Sequence, residues 1–253
     1  MKKITSQKAQ AGMSERCIIV CNGDVSDYKW FKDQFNEAKR RIIEEEDSSS
    51  GFPKVKEGAF ILCADGGTRH LRKIGIDPDL IIGDMDSSSE EDLLYFAGKN
   101  IPVKKFSCEK DFTDTELAFD TAVELGYRNI LILACYGSRL DHSMSNIFLL
   151  KKAADIGIDC CIKNEENYLW MIKGPADKEL RISMKPGGWK NAGLSLLSLS
   201  DTCIGVYTKG LKYKLEDAVM HLGSGTGISN EFINDNVKVG LEQGYLIVVL
   251  SCV

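Results

Sequence analysis

Apolar positions in the first two thirds of the chain fall into short unbroken runs, separated by stretches with helical spacing. Strands are predicted at 17–21 (CIIVC), 59–64 (AFILCA), 80–82, 103–106, 129–134 (NILILA) and 158–162. Helices are predicted at about 27–45, 68–74, 90–97, 113–125 and 141–156, and 44–58 reads as an exposed loop. Continuous apolar strands alternating with helices build βαβ units, and so a parallel sheet buried on both faces. After about Asn164 the texture changes. Runs at 168–172, 179–184, 194–199, 205–215 and 237–250 are β-like, with Gly- or Asn-containing turns and little helical periodicity. Short strands of this kind predict a sandwich or barrel. The expected fold is therefore α/β: a doubly wound, mostly parallel sheet domain over 1–164, then a smaller β-sandwich domain over 165–253.

Composition adds exclusions. Of 253 residues, 43% are hydrophobic and 27% charged, enough for a sizeable core without staples. The formal net charge of -5 argues against nucleic acid or an anionic membrane as the main partner, since both need a basic footprint. No apolar run approaches the roughly 20 residues of a membrane span. The polar residues 1–16 carry no signal-peptide core. Nine cysteines, several inside apolar runs and without zinc-finger spacing, read as small buried hydrophobes in a reducing compartment. A cytoplasmic location is expected.

The chemistry lies in where the aspartates fall. Asp65 follows the run ending at Ala64 and precedes Gly66-Gly67; Asp84 and Asp86 follow the run at 80–82. Asp111 and Asp114 precede one helix, and Asp141 opens another. In an open parallel sheet these strand-to-helix loops share one edge, where ligands bind at a topological switch point. Several carboxylates in one crevice repel unless a cation sits between them. All-oxygen ligation suits Mg²⁺. If 84–86 is extended, Asp84 and Asp86 point to the same side and reach one metal. Gly23, Gly66 and Gly67 stand at strand ends where backbone N–H groups could approach phosphate. No P-loop and no GxGxxG is present, which disfavours a standard dinucleotide site. Taken singly, Asp114 could be helix punctuation beside the capping box Thr113-x-x-Glu116, and Asn146 could be structural.

Together these motifs resemble the thiamine pyrophosphokinase family. The resemblance rests on Asn22-Gly23, Cys63-Ala64-Asp65-Gly66-Gly67, Pro78-Asp79, Ile82-Gly83-Asp84-Met85-Asp86-Ser87 and Lys110-Asp111-Phe112-Thr113-Asp114-x-Glu116. It continues through Gly137-Ser138-Arg139-Leu140-Asp141-His142 with Asn146, then Gly210-Leu211-Lys212-Tyr213 and Ile228-Ser229-Asn230. It implies diphosphate transfer from ATP to the hydroxyl of thiamine, with AMP leaving. It also implies a homodimer with active sites between an α/β ATP domain and a β-sandwich. By the same resemblance Asp84, Asp86 and Asp114, with Asp111, would hold Mg²⁺, and Asp65 would lie close to them. Arg139 would contact the ATP phosphates. Asn22, Gly23, Asp65, Gly66, Gly67, Thr113, Asp141 and Asn146 would line the nucleotide side. Tyr213, Ser229 and Asn230 would line the thiamine pocket. The identity of any general base stays open. A pterin-directed pyrophosphokinase on the same scaffold and a non-catalytic thiamine or nucleotide sensor are the alternatives.

Overall fold

The computed structural model describes residues 16–45, 59–107, 111–181 and 192–252. Six parallel strands form its first part: β1 (Arg16–Val20), β2 (Phe60–Ala64), β3 (Leu80–Gly83), β4 (Val103–Lys105), β5 (Asn129–Leu133) and β6 (Asp159–Lys163). Five helices connect them: α1 (Tyr28–Glu45), α2 (Thr68–Ile74), α3 (Glu90–Ala97), α4 (Asp114–Glu124) and α5 (Leu140–Asp155). Their spatial order, β6-β5-β1-β2-β3-β4, places the switch point between β1 and β5. Along β1 the side chains alternate, Ile18 and Val20 toward one core and Cys17 and Ile19 toward the other. Phe31, Phe35, Leu71 and Phe96 from α1, α2 and α3 cover the first face. Phe119 and Ala122 from α4 and Leu150 and Ala153 from α5 cover the second. This two-sided burial is why these strands lack a polar alternation.

Local signals set several boundaries. Asp27 Oδ1 accepts from the N–H groups of Lys29 and Trp30 and starts α1. Ser89 caps α3, accepting from Asp92 N–H at 3.1 Å. Thr113 caps α4, accepting from Glu116 N–H at 3.2 Å. Gly75, with φ of 70°, ends α2 in the left-handed conformation.

The remaining strands are β7 (Asn167–Lys173), β8 (Ala176–Arg181), β9 (Ala192–Ser198), β10 (Thr202–Lys209), β11 (Ala218–His221), β12 (Asn230–Glu231), β13 (Asn236–Leu241) and β14 (Tyr245–Cys252). β7 pairs antiparallel with β6, so the sheet continues through β7, β14, β9 and β12 to ten strands. A second sheet, β11-β10-β13-β8, has four strands. The two sheets share one apolar core through Trp170, Leu196 and Val248 on one side and Val206, Val237 and Val239 on the other.

Two predicted runs divide. The run at 237–250 is two strands, because residues 242–244 turn the chain from the four-stranded sheet into the ten-stranded one, with Gly244 at φ 108°. The run at 205–215 ends its strand at Lys209, where Gly210 at φ 82° redirects the chain. The loop expected at 44–58 and the far end of the run at 179–184 lie largely outside the described residues. The cysteines with described side chains, seven in number, are all buried and unbridged. Burial pushes the Cys21 thiol up to about 12, so it stays protonated at neutral pH. Among the described residues no helix is long and apolar enough to cross a membrane.

Candidate active site

A cavity of about 760 Å³ opens at the carboxyl edge of the parallel sheet, across the ends of β1, β2, β3 and β5. Asp24, Asp65, Asp84, Asp86, Asp111 and Asp114 all line it. Carboxylate oxygens of Asp65, Asp84 and Asp114 lie within 4.8 Å of one another. Asp86 and Asp111 line the same cavity outside that trio.

Backbone conformation brings the trio together. Asp65 leaves β2 at φ 37° and opens a 3-10 turn, Asp65–Gly67, that runs into α2. Its carboxylate is buried and accepts from Ser88 Oγ at 2.8 Å and Ser87 N–H at 3.0 Å. Asp65 thereby ties the β3–α3 loop to the end of β2. At Gly83, a Cβ would stand 2.8 Å from Asp65 Cβ and 3.1 Å from Asp114 Oδ1. The missing side chain is what allows the carboxylates to converge. Segment 84–86 is a bend rather than extended chain: Met85 is left-handed at φ 68°, and Asp86 N–H donates to Asp84 Oδ1 at 3.3 Å. Asp84 and Asp86 thus reach the cavity by a turn, correcting the pleated i, i+2 expectation.

Burial pushes the Asp65 carboxyl above its ordinary range, and the neighbouring Asp86 and Asp114 add to this. The bonds from Ser88 and Ser87 work the other way. Such a group gains stability from any cation placed beside it. The donor set, carboxylate oxygen with no nitrogen or sulfur in the trio, suits a hard divalent cation such as Mg²⁺.

Gly23, Gly66 and Gly67 serve loop contact. A Cβ at Gly23 would meet Tyr136 O at 2.1 Å, and its N–H already donates to Ala134 O at 2.6 Å. A Cβ at Gly66 would meet the Asn22 side chain at 2.4 Å, and one at Gly67 would meet Val20 O at 2.4 Å. Gly66 and Gly67 are buried where the turn after β2 packs on the end of β1. Asn22, Gly23 and Thr113 do line the cavity. Asn146 does too, and its buried amide donates to Cys135 O at 2.8 Å, holding the β5–α5 loop. Arg139 lines the cavity and is clamped by Asp141 at 2.6 Å, which holds the Asp141 carboxyl down at about 2. Asp141 itself lies outside the lining.

Asp24 and Arg69 line the cavity although no predicted motif contains them, and Phe112 was legible only inside a motif. Arg69 resembles any charge on a helix start, and Phe112 is a half-exposed aromatic. Gly83 was legible only as part of a motif.

The second group of predicted residues lies elsewhere. Tyr213 is 58% exposed, Ser229 is exposed at φ 56°, and Asn230 is buried. None of the three lines the aspartate cavity of the same chain. Asn230 holds the Tyr213 backbone, and Ser229 N–H donates to Ser195 Oγ at 3.0 Å.

Fold and cavity together define a doubly wound α/β protein with an acidic ligand crevice at the carboxyl edge of its sheet, fused to a sandwich. The family model for the thiamin pyrophosphokinase catalytic domain matches residues 53–162. That for the thiamin pyrophosphokinase vitamin B1 binding domain matches residues 179–246. The chain belongs to the thiamin pyrophosphokinase family. A thiamine pyrophosphokinase of Bacillus subtilis is 29% identical over 195 residues, spanning 77% of this chain and 88% of that protein. The crystal structure of the Bacillus subtilis thiamine pyrophosphokinase is similar with a TM-score of 0.75 at 26% identity, over 94% of this chain and 99% of that one. That of the Geobacillus thermodenitrificans thiamin pyrophosphokinase gives 0.73 at 26% identity, over 94% and 100%.

Proposed function

We propose that this chain transfers the diphosphate of ATP to the hydroxyl of thiamine, giving thiamine diphosphate and AMP. The observation that carries the reading is the Asp65–Asp84–Asp114 trio, which lies within the segment matched by the family's catalytic model. In this reaction the thiamine oxygen forms a bond to the β-phosphorus. The bond from that phosphorus to the α,β-bridging oxygen breaks, AMP leaves with the electron pair, and the hydroxyl proton is released to solvent.

The trio, with Asp86 and Asp111 beside it, would hold Mg²⁺. A bound Mg²⁺ supplies charge neutralisation on the phosphoryl oxygens and a template for in-line geometry. Arg139 presents a guanidinium fork to the phosphates, and its pairing with Asp141 limits the rotamer freedom lost on binding. Positioning and electrostatics provide most of the catalysis in such transfers.

Tyr213 and Ser229 would meet thiamine, the exposed ring offering an aromatic face to a cationic thiazolium. Their absence from the aspartate cavity of their own chain, with exposed Ile228 and Ile233 nearby in sequence, favours a homodimer whose sandwich completes a partner's site. The cytoplasm is the compartment that fits free, buried thiols. Incubation with Mg²⁺, ATP and thiamine, followed by quantitation of AMP and thiamine diphosphate, tests the reading. Binding of both substrates without AMP would overturn it in favour of a sensor.

A further inference from the structure

The cavity holds two guanidinium groups in different states. Arg139 is paired with Asp141 at 2.6 Å. Arg69, in the first turn of α2, has no carboxylate partner among the described residues. Its Nη2 donates instead to the carbonyls of Asn22 and Gly23, each at 2.9 Å. A carbonyl orients a guanidinium without cancelling its charge. The two bonds engage Nη2 and leave the hydrogens of Nη1 and Nε to donate singly to an oxyanion.

The carbonyls are themselves fixed. Gly23 O also accepts from His70 Nε2 at 2.8 Å, and His70 Nδ1 accepts from the Tyr28 hydroxyl at 2.7 Å. Gly23 N–H is tied to Ala134 O, and Asp24 N–H to Tyr136 O, each at 2.6 Å. Arg69 is thus an oriented, unneutralised cation on the wall of a cavity lined by six aspartates. In that setting a cation left without a carboxylate is poised for an anion that arrives with the substrate.

We infer that Arg69 is a direct contact for the polyphosphate of the nucleotide, acting beside Arg139 and independently of the aspartate trio. The inference rests on the nucleotide reading of this cavity and deepens it. Arg69 secures the phosphate chain from the β1–β2 side, and Arg139 does so from the β5–α5 side.

The test is calorimetric binding of ATP and of inorganic tripolyphosphate, each with Mg²⁺, to wild type, R69Q and R69K, with thermal midpoints recorded for all three. Tripolyphosphate has no base or sugar, so it reports on phosphate contacts alone. R69Q is expected to weaken both ligands by a similar factor, about 10- to 100-fold. R69K, which keeps the charge but not the separate Nη1 and Nε donors, should fall between. An unchanged tripolyphosphate affinity in R69Q overturns the inference. So does R69K as weak as R69Q, because charge would then not matter. These binding readouts need no turnover. A wild type that binds tripolyphosphate yet forms no thiamine diphosphate would therefore refute the proposed reaction and leave the Arg69 assignment standing.

Discussion

Asn230 brackets the backbone of Tyr213: its Oδ1 accepts from Tyr213 N–H at 3.0 Å, and its Nδ2 donates to Tyr213 O at 2.6 Å. The amide is buried while the Tyr213 ring stands exposed. Asn230 therefore works on the ring's placement through the backbone. Asn230→Ala removes side-chain bonds to three backbone groups, the Glu231 N–H included, and is expected to cost about 1–3 kcal/mol. On the proposed reading it raises the KM for thiamine more than that for ATP. Thermal melts with a two-substrate kinetic series check this, and an equal rise in both KM values counts against it.

Gly83 makes the opposite kind of prediction, since it acts by what it lacks. In G83A the new Cβ would press on Asp65 Cβ at 2.8 Å, at a φ of 151° that L side chains rarely adopt. A stability loss of about 1–3 kcal/mol is expected. The larger effect is on turnover, which should fall by about 100-fold or more as the carboxylates separate. Activity within a factor of a few of wild type would show that the trio's spacing is not critical.

Asp84→Asn and Asp114→Asn test the trio by charge. Each replacement removes one carboxylate charge from the trio while keeping the side chain's size. Added Mg²⁺ should raise the wild-type midpoint and have much less effect on the variants. Turnover should drop by about a thousandfold. Equal Mg²⁺ stabilisation of variant and wild type would remove the trio from the metal site.

His70 gives a pH signature. Burial holds its imidazole down at about 4, against about 6.5 for an exposed histidine. Gly23 O can only accept, so Nε2 carries the proton and Nδ1 accepts from Tyr28. The unfolded chain binds the extra proton between those two values. The contribution is complete above about pH 6.5 and is lost as pH falls toward 4, up to about 3 kcal/mol. The unfolding free energy of H70Q should show a flatter slope over that window, measured by denaturant titration. Parallel slopes would contradict the assignment.

The sequence revealed the fold where a strand's environment is written in its own residues. CIIVC and NILILA are buried on both faces and could only be central strands of a covered sheet. Pairing between distant segments was hidden, so the insertion of β14 between β7 and β9, which extends the sheet beyond the hairpin of β6 and β7, had no local trace. The turn at residues 242–244 was masked for a related reason: three residues inside an apolar run barely disturb its pattern. At the site, the aspartates were legible because strand ends place them at one edge. Arg69 and Asp24 were not, since their roles depend on which loop approaches them. Gly66 and Gly67 were legible as necessary glycines, but their neighbours, Asn22 and Val20, became visible only in three dimensions.

The central claim is diphosphate transfer to thiamine, and one measurement meets it directly. The full chain is incubated with Mg²⁺, ATP and thiamine, and all nucleotide and thiamine species are quantified over time. AMP and thiamine diphosphate rising together in equal amounts, with no thiamine monophosphate or ADP, is the predicted result. ADP with thiamine monophosphate, or no product while both substrates bind, would contradict it.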